Sequence, residues 1–329
     1  MSKTIGRTAG ISFFVIIIAF IAIVALMGEG LKFWTSNDAP AQSDQNKNLN
    51  VVTTLFPYYD MARALAEDGA VVQALLPPGV NPHHYEPKPS DVKRLNEADI
   101  FVYTGPLLEP WAEDLLKNAQ NPDLVVVNAS EHAANLFMEG GERSGLDSKA
   151  DHEISDPHIW LDMDNDISIL NAIRDAFMKA DSSMSDAYRD RALIYESALA
   201  SLDSRYRETF DLCRTRTFVH GGHRSFGYVA QRYHLDYYAT TGVEDTEEPT
   251  ANELAGLIAL VNEKALPYVF YGSFDSPRVA EVIAKESGAG MLSLNSAANI
   301  TKGDFDNGVT FFDIMESNLR NLSLALECQ

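Results

Sequence analysis

Three histidines stand in three distinct settings: Pro82-His83-His84-Tyr85-Glu86-Pro87, Asp156-Pro157-His158-Ile159-Trp160-Leu161-Asp162 and Gly221-Gly222-His223-Arg224-Ser225-Phe226-Gly227-Tyr228. Positions 83, 158 and 223 are widely and evenly spaced, so no local finger loop joins them. Three imidazoles gathered by tertiary structure are the donor set of a tetrahedral zinc site whose fourth position is open or weakly filled. A ligating imidazole commonly gives its second N–H to a carboxylate or carbonyl, so Asp156, Asp162 and Glu86 are candidate supports. As acids beside turns they suit capping equally well. His132, His152, His220 and His234 lie in no comparable motif. Tyr85, Trp160, Phe226 and Tyr228 read as packing residues.

Elements that would position these side chains alternate along the chain. The β-branched run 51–56 suits a buried strand, and 71–76, 100–103 and 124–127 suit further strands. Segments 58–66, 90–97 and 109–117 have helical pattern. Such alternation implies α/β architecture with parallel sheet. Tyr188, Ala192, Tyr195, Leu199, Leu202, Tyr206 and Phe210 recur at steps of four and three. They predict one helix of about 25 residues, on the order of 37 Å long. Alternation then resumes, with strands expected at 217–220, 236–239, 268–271 and 291–294 and helices at 226–232, 250–264, 277–287 and 308–326. One long helix at 183–213 in the middle of an α/β chain suggests a strut joining two lobes of parallel-type sheet flanked by helices, 50–182 and 214–329. The other reading is a long surface helix within one domain, and periodicity does not separate the two. Ligands of open α/β sheets bind at the carboxyl ends of strands, where His83 and His223 fall.

Ahead of the lobes, Lys3 and Arg7 precede an uncharged stretch at 8–28 that is apolar from 11 to 27. A membrane span needs about 20 such residues and a secretory h-region about 7–15. The small-residue tripeptide Ala39-Pro40-Ala41 lies too far downstream for ordinary cleavage, and no Cys follows the apolar run to take a lipid. An uncleaved transmembrane anchor in 1–34 is expected, with its basic end in the cytoplasm. A cleaved export signal is the alternative. Both place the body outside the cytoplasm. Residues 35–49 read as a flexible tether.

A net charge of −21 argues against nucleic acid, whose binders cluster Lys and Arg on phosphates. It accords with a cationic ligand. Cys213 and Cys328 form no CxxC pair, and the sequence leaves open whether they are bridged. Enzyme constellations are lacking. His152-Glu153 has no second His at the zincin spacing, and there is neither a nucleophile elbow nor a phosphate-cradling glycine loop. A zinc hydrolase would need a base beside metal-bound water, which Glu86 or Asp275 supplies by position only.

The three motifs resemble those of the cluster A-I (cluster 9) solute-binding proteins of zinc and manganese ABC importers, the ZnuA/TroA-like family. Further matching segments are Phe101-Val102-Tyr103-Thr104-Gly105, Leu108-Glu109-Pro110-Trp111 and Met315-Glu316-Ser317-Asn318-Leu319, and the likeness spans 51–326. The resemblance implies two lobes joined by one rigid helix with a metal cleft between them, delivery to a membrane permease with a cytoplasmic ATPase, and a monomer. It implies His83, His158 and His223 as ligands, with His83 preferred to His84 because it directly follows Pro82. His223 marks the zinc subtype over the manganese one, and imidazole itself favours zinc. Two positions depart from the pattern, since Gly272 and Asn295 stand where members carry acids. Asp275, Glu86, Glu248, His84 or water would then complete the shell. The segment 138–156 lacks the histidine-rich insertion of many zinc members and holds only His152. The alternatives are a membrane-anchored zinc hydrolase, or a relative whose degraded metal site serves as an adhesin.

Overall fold

A computed structural model describes residues 48–138, 154–243, 249–274 and 276–329. The β-branched start of the first lobe forms β1 (Leu49–Thr53), followed by α1 (Phe56–Ala66), β2 (Ala70–Ala74), α2 (Pro89–Glu97), β3 (Ile100–Tyr103), α3 (Pro110–Asn118) and β4 (Val125–Asn128). These strands make an all-parallel sheet of order β2-β1-β3-β4, with Val51 opposite Val72, Val52 opposite Phe101 and Phe101 opposite Val126. Every residue of β3 is buried, as expected for a strand covered on both faces. Proline occupies the first turn of α1, α2 and α3, where its missing N–H costs nothing.

A two-stranded ribbon of β5 (Phe137–Met138) and β6 (Ile154–Ser155) leads into α4 (Met163–Ala180) and the long α5 (Ser185–Asp211). The seven residues of the predicted stripe, Tyr188 to Phe210, are the buried residues of α5. Both lobes contribute to the apolar cluster that includes this stripe. The second lobe runs β7 (Thr217–His220), α6 (Gly227–Arg232), β8 (Asp236–Ala239), α7 (Ala251–Glu263), β9 (Tyr268–Gly272), α8 (Arg278–Ser287), β10 (Gly290–Leu294), α9 (Lys302–Asp306) and α10 (Phe311–Ala325). Its sheet is also parallel, in the order β10-β9-β7-β8. Both sheets reverse winding direction beside an inner strand, at β1/β3 and at β7/β9. His223 follows β7 at such a switch point, the usual place for a ligand.

One expectation needs correction. The last helix starts at Phe311 rather than 308, because Gly308 takes φ +70° and Thr310 caps the helix. Ahead of it lies the short α9, which has too few apolar residues to show a helical stripe. The question left open on the cysteines is answered, since Cys213 and Cys328 form a disulfide across a small antiparallel bridge. The expected anchor at 8–28, most of the tether and His152 fall outside the described residues. Among those described, no helix is long and apolar enough to cross a membrane.

Candidate metal centre

His83 sits on a 3-10 turn, Pro82–His84, that the Asn81 side chain caps by accepting the His83 N–H at 2.9 Å. The preceding bend is held from the other lobe. Asn299 Nδ2 donates to Pro77 O at 2.9 Å and to Val80 O at 2.8 Å, and Gly79 N–H donates to Ile300 O at 2.8 Å. Gly79 takes φ +85°, which favours glycine.

His158 is 1% exposed and precedes the 3-10 turn Ile159–Leu161. One oxygen of buried Asp156 accepts both the His158 backbone N–H, at 2.9 Å, and a contact with Nδ1 at 2.8 Å. A carboxylate beside Nδ1 favours the tautomer with its proton there, which turns Nε2 into the ligating atom. Trp160 packs edge-on against the His158 ring, and its Nε1 donates to Ser296 O of the second lobe at 2.7 Å.

His223, 8% exposed, follows β7 through Gly221 and Gly222. Any Cβ on Gly221 would come within 2.7 Å of the Ala280 backbone, so the close approach to α8 requires glycine. The His223 carbonyl accepts Ser225 N–H at 2.9 Å and Tyr237 O–H at 3.3 Å, which fixes the loop.

The three rings converge. Their centroids lie 5.3–5.7 Å apart, and one ligand atom from each falls within 4.8 Å of the others. His158 Nε2 and His223 Nε2 are 3.3 Å apart. The edge of a tetrahedron around zinc with Zn–N near 2.05 Å is about 3.3 Å. The crevice has a volume of about 30 Å³ and is also lined by Val80, Asn81, Pro82, Phe274, Ser296, Ala298 and Asn299. That holds an ion and not an organic solute. A larger hollow of about 200 Å³ is lined by Asp156 together with Thr104, Leu108 and Ser130, and none of the three histidines lines it.

The remaining sequence candidates fare differently. His84 and Glu86 are exposed and do not line the crevice. Asp275 and Glu248 lie outside the described residues. Asp162 does not touch an imidazole; its side chain caps α4 by accepting the N–H groups of Asp164 and Asn165. Gly272 is buried at the end of β9, and Asn295 spends its side-chain oxygen on Ala297 N–H at 2.9 Å. Sequence reasoning missed Asn81, Ser296 and Asn299, which no motif or periodicity distinguishes from loop residues.

The fold and crevice define a two-lobed α/β protein whose three clustered imidazoles make a candidate metal centre between its sheets. Residues 51–325 match the family model described as ZnuA, zinc-uptake complex component A, periplasmic, and the chain belongs to that family. It is 31% identical over 315 residues to the high-affinity zinc uptake system protein ZnuA of Bacillus subtilis, covering 94% of this chain and 96% of that one. It is 30% identical over 285 residues to the zinc-binding lipoprotein AdcA of Streptococcus pneumoniae, covering 85% of this chain but only 56% of that protein. The chain thus spans about half the length of the AdcA relatives it matches. The Zn(II)-bound ZnuA-like domain of S. pneumoniae AdcA superposes with TM-score 0.70 at 30% identity, covering 85% of this chain and all of that one. The laminin-binding protein Lmb of Streptococcus agalactiae, described as having adhesin and metal-transporting activity, superposes with TM-score 0.74 at 26% identity over 85% of this chain and all of that one.

Proposed function

We propose that this chain captures zinc between its lobes through His83, His158 and His223 and delivers it to an ABC-type importer, a membrane permease driven by a cytoplasmic ATPase. The observation that carries the reading is the 3.3 Å separation of the Nε2 atoms of His158 and His223, with the His83 ring beside them. All three donors are nitrogen, which suits zinc and disfavours manganese. Water, or Glu248 or Asp275, completes the shell. The lobes are 50–182 and 214–329, with 183–213 between them, and the protein works as a monomer. The apolar stretch at 8–28 tethers the body to the outer face of the cytoplasmic membrane. Zinc is cargo here and not a catalyst. A hydrolase would need a base beside metal-bound water, and the family model that the chain matches is that of a zinc-uptake component.

The test is elemental analysis after chelation and competitive reloading with mixed divalent metals. One zinc per chain is expected, with little manganese. His158→Ala and His83→Ala should lose stoichiometric zinc, and His84→Ala should keep it. Full zinc affinity in His158→Ala would refute the ligand set.

A further inference from the structure

The short helix α6 begins four residues after His223 and reaches across to the segment that carries His158. At its start, a Cβ on Gly227 would overlap Asp156 Oδ2, so helix and carboxylate are in close contact. Tyr228 O–H donates to Asp156 O at 3.2 Å and its oxygen accepts Leu136 N–H at 2.9 Å. At its end, the Arg232 side chain is only 8% exposed and meets three carboxylates. Nη1 donates to Asp162 Oδ2 at 3.1 Å and to Asp164 Oδ2 at 2.8 Å, and Nη2 to Asp164 Oδ1 at 3.0 Å. Nε and Nη2 donate to the two oxygens of Asp203, on α5, at 2.7 and 3.0 Å.

The links from these ends to the ligands are short and stiff. Leu161 N–H donates to His158 O at 3.1 Å and Asp162 N–H to Ile159 O at 3.4 Å, so Asp162 moves with His158. Ser225 N–H to His223 O at 2.9 Å and Ala230 N–H to Phe226 O at 3.0 Å tie His223 to α6 in the same way. Among the described residues, Arg232 thus joins the first lobe, the long helix and the second lobe through one guanidinium. Its planar fork of five donors can do this, and a lysine ammonium cannot. The pairs with Asp162 and Asp203 are largely shielded from solvent and so are screened less than surface pairs, whereas Asp164 is exposed.

We propose that Arg232 is a latch: by pinning the end of α6 to Asp162 and Asp164 it sets the separation of His158 and His223, and so acts as a positioning residue that governs how long zinc is retained. The inference rests on the ligand set proposed above. Metal sites demand donor distances correct to roughly 0.2 Å, so small loosening of the latch is read out at the metal. The Asp203 arm fixes Arg232 to α5, and Asp203 also accepts Tyr233 O–H at 2.8 Å, so it holds the end of α6 to the long helix and not to the segment that carries His158.

The experiment uses the full chain in mild detergent, loaded with zinc and mixed with excess chelator in stopped flow. Asp162→Asn keeps the α4 cap, because Asn caps as well as Asp, and removes one charged arm. Asp162→Asn and Arg232→Gln are each expected to speed zinc release roughly tenfold or more, and Arg232→Lys to fall between. Asp203→Asn is expected to stay within about twofold of wild type. A second readout needs no metal: pulsed EPR distances between nitroxides placed at exposed Lys117 and Lys302, one on each lobe. Zinc-free Asp162→Asn should give a broadened distribution and Asp203→Asn a narrow one. Wild-type release in both Asp162→Asn and Arg232→Gln overturns the latch. An equal rise in Asp203→Asn also overturns it, since that marks general loosening. If His158→Ala keeps its zinc, the ligand set is at fault instead, and the EPR distances alone decide the latch.

Discussion

Two buried carboxylates of the first lobe, Asp156 and Glu109, show how environment divides similar residues. Asp156 spends one oxygen on His158 and thereby selects the tautomer that can ligate. Glu109 is wholly buried and accepts Thr104 N–H at 2.6 Å and Thr54 O–H at 2.9 Å, at the carboxyl ends of β3 and β1. Burial pushes its carboxyl up to about 7, against the pull of those donors. An acid whose folded-state pKa is raised binds its proton more tightly when folded. Stability therefore falls as pH rises from the unfolded value, near 4.5, to about 7, and is flat above that. The shift corresponds to roughly 3 kcal/mol at most. Glu109→Gln keeps an acceptor for Thr104 N–H but cannot ionise. Urea denaturation at pH 5 and pH 8 should show that this variant narrows the wild-type difference by about 2–3 kcal/mol. Burial pushes Asp166 in the same direction, so a residual slope of the same sign is expected. An unchanged pH difference would mean that Glu109 is already ionised in the folded protein.

At the scale of elements, the site is made by two pieces of the second lobe that reach into the first: α6 and the strap at 295–300. The strap is pinned by Asn318 Nδ2 to Asn295 O at 2.7 Å, and Ala297 within it takes φ +59°. It is tied to the first lobe by Phe56 N–H to Ala298 O at 3.1 Å and by Asn299. The consequence for α6 is a steric prediction. Gly227→Ala places a methyl group against Asp156 Oδ2 and within 3.2 Å of Leu136 Cδ2. Overpacking of this kind costs about 1–3 kcal/mol. Because the atom displaced belongs to the carboxylate that orients His158, zinc affinity should drop along with the melting temperature. A Gly227→Ala protein of normal zinc affinity and lowered melting temperature would show that Asp156 tolerates the shift. The α5 stripe was legible in the sequence because one buried face repeats every three to four residues. The three clustered histidines were legible because each sits in a motif that resembles the family's, in which the position directly after Pro82 set His83 apart from His84. The strap was not, since Asn299 meets Pro77 across 222 residues and leaves no periodic trace. Arg232 was hidden for the same reason, because an arginine in a short helix reads as surface until its three acids appear.

For the whole molecule, capture and release set opposing demands. With association near ~10⁷ M⁻¹s⁻¹, a nanomolar site empties at only roughly 10⁻² s⁻¹ unaided, so a delivery protein needs a grip that opens without unfolding the lobes. Rigidity inside each lobe allows this, and the disulfide supplies part of it. Cys213 directly follows the end region of α5 and Cys328 that of α10, closing a covalent loop with a sequence separation of 115 around the second lobe. Loop-closure entropy for a ring of that size is worth about 3–5 kcal/mol to the folded state. Neither cysteine lines the crevice. Replacing both, as Cys213→Ser with Cys328→Ser, should therefore lower unfolding stability by about 2–5 kcal/mol while zinc stoichiometry and release rate stay at wild-type values. Denaturant unfolding and stopped-flow release on the same preparation separate the two effects. If zinc release accelerates along with the stability loss, stiffness of the second lobe is itself part of the grip on the metal. In that case the latch at Arg232, which meets α5 at Asp203, shares its role with the covalent loop just beyond the same end of that helix.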